Sequence, residues 1–280
     1  MNTLTKTLIF VTGLLASMAG PLVAAPVLEY LASNYSIVDN GNGTSTAAWT
    51  NSGTAGASYD STSTLSNSLV AAFPTVNGGA TPNGSTAVGF GISPFGGRYA
   101  ALNNTFSVPT EFSLFAVVQS PGSGSAQVLF GAGSGNGGAT FRLDGGSNLL
   151  TLTKRNIADV GTSSSGFGTG TFYVVGYTYS STTGAYNFYI DGVNVGSGTN
   201  PLTFDQPWQL IGTGVGNELP FLGQIAALQV YDTAVSGSTA SSITNTLTNA
   251  YIIPEPGTWA LLSVGLSLVL LRRRRWAAAR

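Results

Sequence analysis

The sequence predicts an all-β protein, an antiparallel sandwich with one short helix. Three observations carry that expectation: short runs of alternating apolar residues, turn signals between them, and a chain almost free of charge. Charged residues are 8% of the chain, against about 25% in ordinary globular proteins, so solubility has to rest on Ser, Thr, Asn and Gly.

Residues 111–119 set Phe112, Leu114, Ala116 and Val118 on one face and Ser113, Phe115 and Val117 on the other. Both faces are largely apolar, which predicts a strand enclosed between two sheets. Further strands are expected at 126–131, 139–143 and 148–154. Residues 171–179 repeat the alternation, with Phe172 and Val174 against Tyr173, Val175 and Tyr177. A turn at 180–184 leads to a strand at 185–190, where Tyr186, Phe188 and Ile190 share a face. Asp191-Gly192 then signals a two-residue hairpin, because both residues accept the positive φ of a type I′ turn, and 193–195 pairs back. A last strand is expected within 221–231. The glycine-rich runs 131–138 and 161–170 read as loops, since no lysine follows them in a phosphate-cradling arrangement. One helix is expected over 238–250, where Ile243, Leu247 and Ala250 recur at helical spacing behind a serine cap.

Both ends read as targeting segments. Lys6, the apolar run 8–19 and the small residues Val23-Ala24-Ala25 form a secretory signal peptide over 1–25, to be removed by signal peptidase. At the other end Pro254, Glu255 and Pro256 precede an uncharged run of 13 residues from Trp259 to Leu271, followed by Arg272, Arg273, Arg274 and Arg275. A helix of that run reaches only about 20 Å, against a bilayer core of roughly 30 Å, so it spans only if its flanks enter the interface and the arginine stems snorkel. A single transmembrane helix over about 257–271 is expected on that basis, with the arginines cytoplasmic and the rest of the protein across the membrane. In all three parts and in their order the tail resembles the PEP-CTERM sorting signal of Gram-negative, exopolysaccharide-producing bacteria. The resemblance implies processing by an exosortase near Pro254-Glu255-Pro256, transient inner-membrane anchoring, and a final place at the cell surface or in an extracellular biofilm matrix. One domain, 26–253, is left between the two ends.

Its composition excludes several functions. Four basic side chains (Arg98, Arg142, Lys154, Arg155) face ten acidic ones between 26 and 253, so no basic face exists to hold nucleic acid. The chain has no Cys and no His, which removes disulfides, Ser-His and Cys-His nucleophiles and the common zinc sites.

Within this domain, Tyr186-Asn187-Phe188-Tyr189-Ile190-Asp191-Gly192-Val193 resembles the hairpin of LamG-like, concanavalin A-like jelly rolls. Gln209-Leu210-Ile211-Gly212 and the run from Phe221 through Gly223 to Tyr231-Asp232 resemble the closing segment of the same family. The likeness covers about 111–251, with 27–104 more divergent. It implies a LamG-like antiparallel jelly-roll sandwich, of a kind used by lectins, adhesive modules and polysaccharide hydrolases alike. It also implies a calcium ion at the sandwich rim, for which Asp144, Asn156 and Asp159 are the candidates; a turn role for Asp144 and a solvated Asp159 stand beside that reading. Trp208, after Asp205-Gln206-Pro207, is the candidate sugar-stacking ring, with core packing as its alternative. The glutamates Glu29, Glu111 and Glu218 have no acidic residue two positions away, unlike the carboxylate-rich strand of the glucanase branch. The expectation is therefore a non-catalytic module that binds glycan or exopolysaccharide, with a glycosidase using dispersed carboxylates as the alternative.

Overall fold

The computed structural model describes residues 24–253 apart from 94–95, 123, 134 and 216–218. All of the expected signal peptide except Ala24 and Ala25, and the whole segment 254–280 with its expected transmembrane helix, lie outside the described residues. Among the described residues no helix is long and apolar enough to cross a membrane.

The first half of the domain supplies β1 (Leu28–Asp39), β2 (Thr44–Asn51), β3 (Ser61–Ser66), β4 (Thr75–Ala80), β5 (Thr86–Gly89), β6 (Ile92–Ser93), β7 (Gly96–Gly97), β8 (Ala100–Phe106) and β9 (Glu111–Gln119). The second half supplies β10 (Gln127–Ala132), β11 (Ala139–Asp144), β12 (Leu149–Lys154), β13 (Ala158–Thr162), β14 (Phe172–Ser180), β15 (Ala185–Ile190), β16 (Val193–Thr199), β17 (Trp208–Ile211), β18 (Gln224–Tyr231) and the helix α1 (Gly237–Tyr251). All the pairings between these strands are antiparallel. The main ladder runs β13-β12-β11-β10-β17-β8-β3-β2-β1-β18-β9-β14-β15-β16.

That ladder folds into two layers around one aromatic core. The ring of Phe112, on β9, lies 5.7 Å from Phe141 on β11 and 5.1 Å from Trp208 on β17, so side chains of the two layers interdigitate. Strand β9 sits between β14 and β18, and its inward face of Phe112, Leu114, Ala116 and Val118 is as the alternation predicts. Its other apolar face is covered differently from the expectation. Phe115 and Val117 pack with Ala226 and Ala227 against Ala240, Ile243 and Leu247 of α1, not against a second sheet. A helix of period 3.6 puts those three residues on one stripe, and each buried Ile or Leu there contributes about 1.5–3 kcal/mol. Ser236 starts the helix by accepting from Thr239 N.

The Asp191-Gly192 hairpin forms as read, with φ of 47° and 79°. The run 161–170 does not begin as a loop, because β13 enters it at Gly161 and Thr162. Glycine is needed there: a Cβ on Gly161 would lie 2.4 Å from the Tyr186 ring, and one on Gly198 equally close to the Tyr186 hydroxyl. That close approach brings the outer strands of the two layers together. Ser164 N donates to Val195 O at 2.8 Å, and the Asn200 amide donates to the Asp159 and Val160 carbonyls. On the opposite side the layers are joined through β3 and β8, which share only the rung Ser61 against Leu102.

Candidate functional site

Arg142 and Asp144 alternate along β11 and so point to one face of the sheet, while Asp159 reaches the same face from β13. Arg142 Nε and Nη2 donate to the two Asp144 oxygens at 2.7 Å each, and Nη2 approaches Asp159 Oδ1 at 3.5 Å. Thr153 Oγ1 donates to the same Asp159 oxygen at 2.6 Å. Burial works against the charged guanidinium, but its bond to Asp144 and the charges of Asp144 and Asp159 hold the Arg142 pKa above its ordinary value. Two of the three calcium candidates are thus brought together, but around a guanidinium. Asn156, at a turn with φ of 57°, gives its amide to Asn136 Oδ1 at 2.8 Å. Among the described residues no group of three or more carboxylates could hold a metal, and calcium asks for six to eight oxygens, so this set does not fit the ion. The hollow beside Arg142, lined also by Thr140, Thr153, Arg155 and Asn156, measures about 60 Å³. That is room for a few waters and well below the roughly 300 Å³ at which small-ligand pockets begin.

Trp208 is a core residue, which overturns its reading as a sugar platform. It is the first residue of β17, is 0% exposed, and donates from Nε1 to Ala139 O at 3.1 Å. Phe106 stacks parallel to it at 6.2 Å. The loop that precedes it is held at the surface by the Lys154–Asp205 pair at 2.8 Å, while the strand turns the indole inward.

The two glutamates that are described are engaged by neighbours. Glu111 accepts from Ser180 Oγ at 3.0 Å, and Glu29 accepts from Gln229 Nε2 and Ser52 Oγ at 2.7 Å each. Glu218 lies outside the described residues.

The site that the structure does form was missed in the sequence. Past the rung Ser61–Leu102 the edges of β3 and β8 part, leaving a cleft of about 370 Å³, within the size range of small-ligand pockets. Ser61, Thr62 and Ser63 line one wall and Tyr99 to Asn103 the other, with Tyr35, Leu65 and Phe73 among the apolar residues between. Tyr99 is 37% exposed. Pro74 is fixed beside the cleft by Tyr35, whose hydroxyl donates to its carbonyl at 2.8 Å. Burial pushes the Tyr35 phenol well above its usual pKa, with the charge of Arg98 opposing, so it stays a neutral donor. Among the described residues no carboxylate, Lys or Arg lines the cleft. Its one legible signal is the hydroxyl run from Ser61 to Thr64, which alone says nothing of a wall 40 residues further on.

The model of the concanavalin A-like lectin/glucanases superfamily matches residues 95–241, just over half of the 280 residues, and the chain belongs to that family. No curated protein matches the chain. Among solved structures, the chain is similar to a Trypanosoma rangeli sialidase in complex with sialic acid at 17% identity and a TM-score of 0.52, covering 87% of this chain and 38% of that one. It is also similar to a heptameric SAP-like pentraxin from Limulus polyphemus, at 14% identity and a TM-score of 0.48 over 56% of this chain and 81% of that one. The CBM40 module of Ruminococcus gnavus IT-sialidase, bound to α2,3 sialyllactose, is 12% identical, with a TM-score of 0.44 over 49% of this chain and 84% of that one. The likeness to the sialidase, at that identity, speaks for the fold alone.

Proposed function

We propose that the chain is an exported bacterial surface or matrix protein whose sandwich is a non-catalytic module for binding glycan or exopolysaccharide. One observation carries the reading: the cleft between β3 and β8 offers rings, hydroxyls and an amide and, among the described residues, no carboxylate. A glycosidase needs two carboxyls flanking the scissile bond, whereas a lectin-type site needs only a ring platform and a few fixed polar groups. Membership of a lectin and glucanase family is consistent with either and supports a carbohydrate ligand without deciding the chemistry. Export is proposed from the two ends, with signal peptidase acting near residue 25 and an exosortase acting at Pro254-Glu255-Pro256 after Arg272 to Arg275 have held the precursor in the inner membrane.

The exported protein, tested on a glycan array and against exopolysaccharide fractions, is expected to bind without releasing reducing sugar. No binding to any of them, or sugar release that disappears in Glu111→Gln, would sink the reading. Mass spectrometry of the mature protein is expected to find residues 272–280 removed; an intact Arg280 contradicts the processing step.

A further inference from the structure

We propose that the parting of β3 and β8 is the ligand site, and that it takes an uncharged sugar unit stacked on Tyr99 and hydrogen-bonded by the Ser61–Ser63 edge and Asn103. The proposal rests on the glycan-binding reading above and adds the place and the chemical class of the ligand.

The site belongs to this chain more than to its family. Nine of the fourteen lining residues, Tyr35 to Pro74, precede residue 95, where the family match begins. The cleft lies where β3, paired with β2 over its whole length, and β8, paired with β17, meet at one rung and then part.

Its chemistry selects for a neutral, hydroxyl-rich ligand. A volume of about 370 Å³ holds one or two sugar rings, given that drug-sized ligands fill about 300–1,000 Å³. Tyr99 is the exposed ring at the cleft, while Tyr35 and Phe73 are 6% and 4% exposed and form its apolar side. Opposite lie three consecutive hydroxyl residues, of which Thr62 and Ser63 are exposed. Asn103 is held in place by its own bonds, accepting from Thr62 N at 3.0 Å and donating to Thr62 Oγ1 at 3.4 Å, which leaves its second amide hydrogen for a ligand. No charged side chain among the described residues lines the cleft, so the carboxylate of a uronate or sialate would have to rely on Arg98, whose charge is felt at Tyr35 from outside the lining. A peptide strand is also a poor occupant. The Thr62 amide that would begin a ladder on β3 is already taken by Asn103.

The test is calorimetric titration of the exported protein with neutral glucose and mannose oligosaccharides, and with galacturonate oligosaccharides of equal length. Tyr99→Ala should weaken neutral binding about tenfold, the loss expected for one aromatic contact. Ser63→Trp, which fills the cleft from an exposed position, should abolish it. Melting temperatures that match the unmodified protein show that both variants fold. Neutral binding at full strength in both variants overturns the cleft as the site while leaving the glycan-binding function in place. Tighter binding of the galacturonate series overturns the ligand class. No binding of any glycan by the unmodified protein overturns the function and the site together.

Discussion

Arg142 grips Asp144 through two parallel bonds, its Nε and Nη2 each 2.7 Å from a carboxylate oxygen, and the same guanidinium leans toward Asp159 from 3.5 Å. An internal cation thus does what a bound ion would do at this rim: it ties β11 to β13 across β12. Both side chains of the closer pair are about one-fifth exposed, so solvent screens the pair only in part.

Arg142→Ala is therefore expected to cost about 2 kcal/mol, the scale of charge-assisted hydrogen bonds lost from a half-enclosed carboxylate. Urea denaturation measures it. Melts of the unmodified protein in calcium and in chelator should superimpose; a calcium-induced rise in melting temperature would count against the guanidinium reading.

Trp208 and Tyr99 should behave as opposites. Trp208→Ala removes a fully buried ring from contact with Phe106, Phe112, Phe130 and Phe141, at an expected cost of about 4 kcal/mol. Tyr99→Ala, at the surface, should stay within about 0.5 kcal/mol. Equal destabilisation by the two substitutions in denaturant titrations would refute the assignment of one to the core and the other to the cleft.

Gly223 tests the closing motif. A Cβ there would fall 1.9 Å from the Gln119 carbonyl oxygen, an atom of the β9 backbone that cannot step aside cheaply. Gly223→Ala should lose about 3 kcal/mol. Gly91→Ala, whose new methyl would have nothing within 4 Å, should be nearly silent and serves as the control.

Asp191 gives a pH signature. Burial raises its pKa above the ordinary 3.8, against the opposing bond from Val174 N. A carboxyl whose folded pKa is raised favours the folded state while protonated, and that contribution is lost as pH rises from 3.8 through the elevated folded value. Asn at this position keeps an acceptor for Val174 N and tolerates the φ of 47°. The melting temperature of Asp191→Asn relative to the unmodified protein should therefore increase as pH climbs from 3.5 toward 7. A difference that stays flat over that interval would be inconsistent with a desolvated Asp191.

The strands with strong alternation were legible to within a residue or two: β9, β14 and β15 are where Phe112, Phe172 and Tyr186 place them. What covers them was not, because a strand with two apolar faces is satisfied equally by a sheet or by a helix, and only α1 decides which. The N-terminal strands escaped for another reason. Apart from Trp49 and Leu65, β2 and β3 are built of Ser, Thr, Ala and Asn, whose small side chains carry little periodic signal, and their pairing is fixed by β1 and β8. The cleft inherits that difficulty, since its walls are joined by one rung between Ser61 and Leu102. Asp144 and Asp159 do fall near each other, but around Arg142: its i, i+2 spacing to Asp144 on a strand puts those two on one face, whereas the approach of Asp159 depends on the pairing of β11, β12 and β13. Trp208 stood between a sugar platform and the core because a proline-led loop says where the chain bends and not which way the next side chain points, and the structure decides for the core.

The meeting of Ser164 with Val195 and of Asn200 with the Asp159 carbonyl has a consequence for crowding. A protein with so few charges cannot rely on repulsion to keep neighbouring copies apart, and a hydroxyl-rich edge strand with open amides would invite a second copy to extend the sheet. By turning β13 and β16 toward each other the chain spends those edges on itself. Copies of the protein at high density can then stay individual, because the two outer strands offer their edges to each other before they offer them to a neighbour.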